Sequence, residues 1–196
     1  MPTQTIGRSS PRLDARGKVT GQTPYSGDLS MRGMLFMKIL FAERPHARIK
    51  KIKTAKAEAA PGVVAVYTAA HVPVNEYGLQ IPDQPVLCGP GSAKPGTDIV
   101  RFVGDQVAVV VARTEAEAAA ALQLIEVDYE DLPILSDPAS AMQPGAPVLH
   151  PDRGSDNICV HYKIRKGDVG EGFAKADVIV EGECAPPRPP PDRRQT

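Results

Sequence analysis

The sequence predicts an α+β domain, and three observations predict it. Val107-Ala108-Val109-Val110-Val111-Ala112 is a continuous apolar run of strand length, mostly β-branched. Thr114-Glu115-Ala116-Glu117 follows at once with the spacing of a capping box, where a hydroxyl and a carboxylate satisfy orphan amides reciprocally. Short β-branched or alternating segments recur elsewhere in the chain, separated by Pro and Gly. A length of 196 residues suggests one domain or one and a half. A compact domain of about 150 residues buries roughly 68–70% of its unfolded surface.

Taken in order, the elements begin with Ser9 to Asp28, which is rich in Gly, Pro, Arg and Ser and lacks periodicity. It predicts an extended leader, residues 1–28, lying on another surface. Leu35 to Phe41 and Ala47 to Ile52 read as strands, the second with Ile49 and Ile52 facing inward in imperfect alternation. Thr54 to Ala60 is made of helix formers and stops at Pro61-Gly62. Val63 to Tyr67 is a β-branched strand. Tyr77 to Asp98 is a long Pro- and Gly-rich loop, of the functional or mobile kind.

The central run at Val107 is expected to be covered on both faces. The helix opened by Thr114 puts Ala118, Ala121, Leu122 and Ile125 on one side. Glu126 to Tyr129 alternates as a strand and ends at Leu132-Pro133. A Pro- and Ala-rich connector, Ser136 to Asp156, leads to Asn157–Arg165, which alternates weakly. Asp168-Val169-Gly170-Glu171 then repeats the capping spacing before Phe173, Ala174 and Ala176. Each interior glycine there costs about 0.8–1.0 kcal/mol relative to Ala, so this helix is short. Asp177 to Glu183 reads as a last strand, through Val178, Ile179 and Val180. Pro186, Pro187, Pro189, Pro190 and Pro191 make the ending extended or disordered. The expected organisation is a leader at 1–28, a domain at 29–183 and a Pro/Arg-rich tail at 184–196.

Composition removes several functions. Lys plus Arg equals Asp plus Glu at 23 each, which argues against binding nucleic acid through many phosphates. Arg48-Ile49-Lys50-Lys51-Ile52-Lys53 is basic, yet its alternation with Ile reads as the water face of a half-buried strand. With no Trp and few aromatics there is no base-stacking platform. No apolar run approaches the ~18–20 residues of a membrane span. The N-terminus lacks a basic region followed by an apolar stretch, so a cytoplasmic location is expected.

Chemistry is sparse. Cys88, Cys159 and Cys184 form no CxxC pair and suit neither a disulfide framework, a zinc site nor an iron–sulfur cluster. His46, His71, His150 and His161 are scattered, and His46 after Pro45 reads as a surface or turn residue. Gly167 to Gly172 has the wrong glycine order for a nucleotide cradle and reads as a helix entry. There is no GxSxG elbow. Cys159 and His161 would share a strand face, with nothing to lower the thiol pKa. Glu126, Asp128, Glu130 and Asp131 read as an outer face. No residue is assigned as catalytic, cofactor-binding or metal-binding.

Three stretches together resemble the α/β hammerhead domain of the aldehyde oxidase and xanthine dehydrogenase family. They are Gly17-Lys18-Val19-Thr20-Gly21 through Tyr25 to Asp28; Arg44-Pro45-His46-Ala47-Arg48-Ile49 with Pro61-Gly62-Val63-Val64-Ala65-Val66; and Val100-Arg101-Phe102-Val103-Gly104-Asp105-Gln106-Val107-Ala108, running on through Glu117, Ala118 and Ala119 to Val127-Asp128-Tyr129-Glu130-Asp131-Leu132-Pro133. The third is the most specific, and Arg44 departs from the family's usual Ser. The resemblance covers roughly residues 5 to 183, with Gly167-Asp168-Val169 and Ala176-Asp177-Val178 included.

The resemblance implies an α/β hammerhead with a mixed β-sheet and two to three short helices. It also implies a place at the front of a large subunit that hydroxylates an aldehyde or an N-heterocycle carbon. No cofactor is expected in this chain. Molybdenum-pterin, iron–sulfur and FAD are implied for the full complex, and the family's metal-contacting residues and general-base glutamate lie outside this sequence. Implied partners are the molybdenum-binding domains of the same subunit type and the iron–sulfur and flavin subunits, with no nucleic acid and no membrane span. Cys184-Ala185-Pro186-Pro187-Arg188 replaces the family's continuation, so a truncated or frame-shifted product is expected. A stand-alone binding or assembly module with the hammerhead fold is the alternative. Gly104-Asp105 also accommodates a relative of the hydroxybenzoyl-CoA reductases.

Overall fold

Among the described residues six strands carry the fold, and the chain's local signals place all but one of them. The structure is a computed structural model that describes residues 7, 9, 11–79, 81–154 and 156–182. The strands are β1 (Phe36–Phe41), β2 (Ala47–Lys53), β3 (Val63–Thr68), β4 (Ile99–Val100), β5 (Gln106–Ala112) and β6 (Glu126–Asp131). The helices are α1 (Ala15–Val19), α2 (Ala55–Glu58), α3 (Glu115–Leu122), α4 (Pro138–Ala141) and α5 (Val169–Ala174). The α+β class stands. The strands form two three-stranded sheets, β1-β5-β3 and β4-β2-β6. Every pairing in them is antiparallel, where a single mixed sheet was expected.

Bulges explain the imperfect alternation. In β2, Ile49 pairs with Tyr129 and Lys51 with Asp128, so the β2 strand carries one extra residue. That extra residue resets the pleat, and Ile49 and Ile52 both reach the inner face although they are three apart. A second bulge shifts the register between Leu40 and Phe41 of β1, opposite Ala108 and Gln106. It leaves Val107 free to turn into a different core from Val110 and Ala112. One core joins Ala57, Val66, Val110, Ala112, Ala118 and Ala121. The other joins Ala42, Ile49, Cys88, Val100 and Val107, with Ile52, Val127 and Tyr129 packed against it. β5 is the strand common to both.

Turn chemistry fixes the joints. Thr114 Oγ1 accepts the Glu117 amide at 3.2 Å, as the capping spacing predicts. The Glu117 carboxylate, however, accepts from the Thr114 hydroxyl at 2.8 Å. Gly62, at φ +76°, lies so close that a Cβ there would sit about 2 Å from the Glu117 carboxyl. Pro61-Gly62 therefore ends α2 and also leaves room for the cap of α3.

Other expectations need revision. The leader predicted to be extended contains α1, steadied by Lys18–Asp14 and Arg12–Asp14 ion pairs at 2.8 and 2.5 Å. Local pairing suffices for one turn, while Leu13 stays fully exposed. The 77–98 loop is irregular but anchored. The Asn75 side chain donates to the Leu87 carbonyl at 2.8 Å and accepts its amide at 3.0 Å. The Cys88 amide donates to the Gln106 carbonyl at 2.6 Å. β5 is covered by α3 on one face only.

The chain divides into two units, residues 1–156 and 157–196, so the division falls inside the expected 29–183 domain. In the second unit α5 forms as expected, but residues 177–182 are not a strand. Glu183 and the 184–196 tail lie outside the described residues.

Candidate functional site

Two surfaces of the first unit present side chains available for recognition or chemistry. The first is a sheet face. α3 packs its Ala118 and Ala121 against Val110 and Ala112, and Glu115 Oε1 meets Lys38 Nζ at 2.5 Å. The register then places Met37, Val111 and Ala65 in one row on the opposite face, and Ile39, Val109 and Tyr67 in the next. All six are apolar and none is fully buried; Met37 is 60% exposed and Tyr67 45%.

The second is a cleft of about 20 Å³, lined by Asp83, Lys94, Thr97, Arg101, His150 and Asp152 among others. That volume accommodates one water-sized group. Its cations are engaged with backbone carbonyls. Arg101 Nε donates to Leu149 at 2.6 Å, and Lys94 Nζ donates to Pro82 at 3.2 Å and to Glu76 at 2.6 Å. Arg153 also donates to Pro82, at 3.0 Å. The cluster thus fastens the 77–98 loop to the connector. Burial, reinforced by the Arg101 charge, holds the His150 imidazole below the usual histidine range.

The most specific motif of the sequence turns out to shape a corner. The Asp105 carboxylate accepts the Arg101 and Phe102 amides at 2.7 and 3.1 Å, turning the chain from β4 into β5. His46 departs from the surface or turn reading: it is buried, with Nδ1 at 2.6 Å from the Pro133 carbonyl. The Leu132 amide donates to the His46 carbonyl, so ring and backbone together fasten β2 to the end of β6. Arg44, the residue out of pattern, lies 5.6 Å over the Tyr129 ring and 3.6 Å from Asp131.

The carboxylates of β6 form the outer face expected of them. Glu126 meets Lys53 at 2.9 Å and Lys56 at 2.5 Å, and Glu130 meets Lys50 at 3.3 Å. Lys56 and then Lys53 hold the Glu126 carboxyl down to about 2. In the basic run of β2, Lys50 and Lys53 are thereby paired with β6, and Arg48 pairs with Asp98.

The described cysteines do not fit an iron–sulfur cluster. Cys88 is enclosed by Ile49, Val100 and Val107, and burial pushes its thiol up to about 12, which disfavours the thiolate a cluster ligand needs. Cys159 is exposed and lies in the other unit. Among the described residues no three His, Cys, Asp or Glu side chains gather as a metal site. No described helix is long and apolar enough to cross a membrane.

Residues 20–133, more than half of the chain, match the family model described as "Aldehyde oxidase and xanthine dehydrogenase, a/b hammerhead domain". The chain belongs to the aldehyde oxidase and xanthine dehydrogenase family. Over 178 residues it is 46% identical to a probable xanthine dehydrogenase subunit of Bacillus subtilis, covering 90% of this chain and 22% of that protein. It is 39% identical over 189 residues to the carbon monoxide dehydrogenase large chain of Afipia carboxidovorans, covering 90% and 23%. The solved quinoline 2-oxidoreductase of Pseudomonas putida 86 aligns with a TM-score of 0.73 at 33% identity, covering 90% of this chain and 22% of that one.

This hammerhead chain therefore spans under a quarter of the length of these relatives. Its family motif residues are the ones found at the corners and latches: Gly62 under the α3 cap, His46 on Pro133 and Asp105 at the β4–β5 turn. β4 and α4 also escaped the sequence reading. The two-residue β4 is too short to show a period. The start of α4 was signalled by Asp137-Pro138, an N-cap followed by Pro at the first helical position.

Proposed function

We propose that this chain is the scaffold domain of a molybdopterin-dependent hydroxylase or dehydrogenase large subunit, of the xanthine dehydrogenase or aldehyde oxidase type, and is inactive alone. The observation that carries the reading is the apolar sheet face of Met37, Val111, Ala65, Ile39, Val109 and Tyr67, left open while α3 fills the other side. A contiguous apolar face of this kind marks an interaction surface. The relatives supply a source for its cover, since more than three-quarters of their length lies outside the match. On this reading the molybdenum pterin and the reacting carbon belong to that remainder. Electrons leave through iron–sulfur and flavin partners, in the cytoplasm. This chain contributes shape: two cores sharing β5, an ion-paired outer face in water, and one apolar face for docking.

The test mixes the purified chain with the separately produced, cofactor-loaded remainder of the Bacillus subtilis relative. Association is followed by calorimetry and turnover by xanthine-dependent dye reduction. The chain alone gives no turnover, the mixture associates, and Met37→Glu with Tyr67→Glu weakens association by about tenfold or more. Turnover by the chain alone, or unchanged association by the double variant, overturns the reading.

A further inference from the structure

The cleft of the first unit is a seam closed by cations. Uncharged bonds pin the inner end of the 77–98 loop: Asn75 holds Leu87, and the Gly89 amide donates to the Thr97 carbonyl at 2.8 Å. The outer end is held differently. Tyr77 and Gln84 exchange backbone hydrogen bonds at 2.8 and 3.1 Å. Pro82, between them, accepts from Arg153 of the connector at 3.0 Å and from Lys94 at 3.2 Å. Arg101 closes the other side through the carbonyl of Leu149, the residue before His150. The half-buried His150 ring therefore lies where loop and connector meet.

We propose that His150 is a proton-sensitive latch: its neutral ring lets the seam between loop and connector close, and its protonation opens the seam while both sheets stay folded. The latch needs no partner and is independent of the docking face of the sheet. The surroundings set its sign. Burial first, and then Arg101, disfavour an imidazolium there, with Arg153 acting in the same direction. Asp152 of the connector and Asp83 of the loop oppose them, and Lys94 lines the same cleft with its charge engaged by Glu76. A cleft of about 20 Å³ holds one water-sized group, too little to hydrate an imidazolium. Opening the seam returns the ring to bulk water. As pH falls through 6.5, the usual histidine value, the open form therefore takes up the proton more readily than the closed one and gains population. The two bonds most affected, Arg101 to Leu149 and Arg153 to Pro82, end on carbonyls that water can satisfy instead. The inner pins contain no ionisable group and are indifferent to the change.

Hydrogen exchange of the full 196-residue chain, read by NMR at pH 7 and pH 5, tests the latch. The reporter is the Arg101 Nε–H that donates to Leu149, with its protection taken relative to free arginine at the same pH. Between the two pH values that protection should fall roughly tenfold, while the Val110 amide of β5 keeps its own. His150→Gln, uncharged at both pH values, should keep the seam closed at pH 5. His150→Lys, charged at both, should leave it open at pH 7, with about tenfold less protection than the parent. No loss in the parent, or the same loss in His150→Gln, overturns the latch. A loss shared by the Val110 amide does so too, because the sheets would then be opening with the seam. If circular dichroism shows that either variant is unfolded, the parent decides alone: the His150 ring signals and the Arg101 signal must change with one midpoint, and separate midpoints reject the proposal.

Discussion

Two strand–helix–strand blocks in this chain carry nearly the same local signals and end differently. In residues 106–131, β5 and β6 flank α3, whose cap residue Thr114 accepts the Glu117 amide. In residues 157–182, alternating segments flank α5, whose cap residue Asp168 accepts the Glu171 amide. Both helices form, because a cap is a bond between residues three apart and needs nothing distant. Only the first block has strands, because a strand exists only as one side of a pair. β5 lies between β1 and β3, and β6 has β2. The alternation at Val160 has the sequence of a strand without the neighbour. A period of two is therefore a statement about burial to come, and a cap is a statement about structure already made.

The sharpest way to break this comparison is to put a charge into each block. Val110→Asp buries an unpaired carboxylate in a core where Val110 has no exposed surface. The cost of several kcal/mol rivals the ~5–15 kcal/mol that holds a typical domain together, so circular dichroism should show an unfolded chain. Val160→Asp should leave the melting temperature unmoved. Equal losses from the two would mean that the second block is also packed. Cysteine labelling gives the next contrast. With its thiol pushed up to about 12, Cys88 is roughly one part in 10⁴ thiolate at pH 8. Peptide mapping after brief maleimide treatment should find Cys159 modified and Cys88 not. Prompt labelling of Cys88 would show that its core opens.

Much of the fold was legible in the residues, for identifiable reasons. The β5 run, the Thr114 cap and the Pro61-Gly62 stop are local, and all three are found in place. Ile49 and Ile52 looked like a defective strand, since a bulge depends on pairing with β6 that no single segment reveals. The same limit hid the split into two sheets and the pairing of Ile99 and Val100 with β2. His46 read as a turn residue because the Pro133 carbonyl that holds it is 87 residues away. The apolar sheet face was illegible for a different cause. Ile39, Val109 and Tyr67 come from three strands, and only the register sets them side by side.

Smaller substitutions sharpen the contrast between local and paired structure. Gly62→Ala meets both a left-handed φ and the Glu117 carboxyl, and should cost about 1–3 kcal/mol in urea denaturation. A change under half of that would mean that the α3 cap moves aside freely. Thr114→Ala should remove about 1 kcal/mol of the same global stability. Asp168→Ala, the matching change in the other block, should leave global unfolding untouched and only speed amide exchange within α5. A global loss from Asp168→Ala would place α5 inside the cooperative unit.

The smallest expected effect is a pH dependence confined to the first unit. Its origin is His150, whose folded-state pKa lies below the usual 6.5 because burial and then Arg101 disfavour the imidazolium. In the window between that lowered value and 6.5, the unfolded chain binds more protons than the folded one, so stability rises with pH there. The contribution is present above 6.5 and is lost as pH falls through the folded value. Asp14, Glu115 and Glu126 are lowered too, held down first by Lys18, Lys38 and Lys56 respectively, so their contribution has the same sign but is lost only as pH falls below the ordinary carboxylate range. Between pH 7 and 5 the melting temperature should therefore decline in the parent chain and stay level in His150→Gln. Parallel curves for the two would show that His150 is not the group responsible.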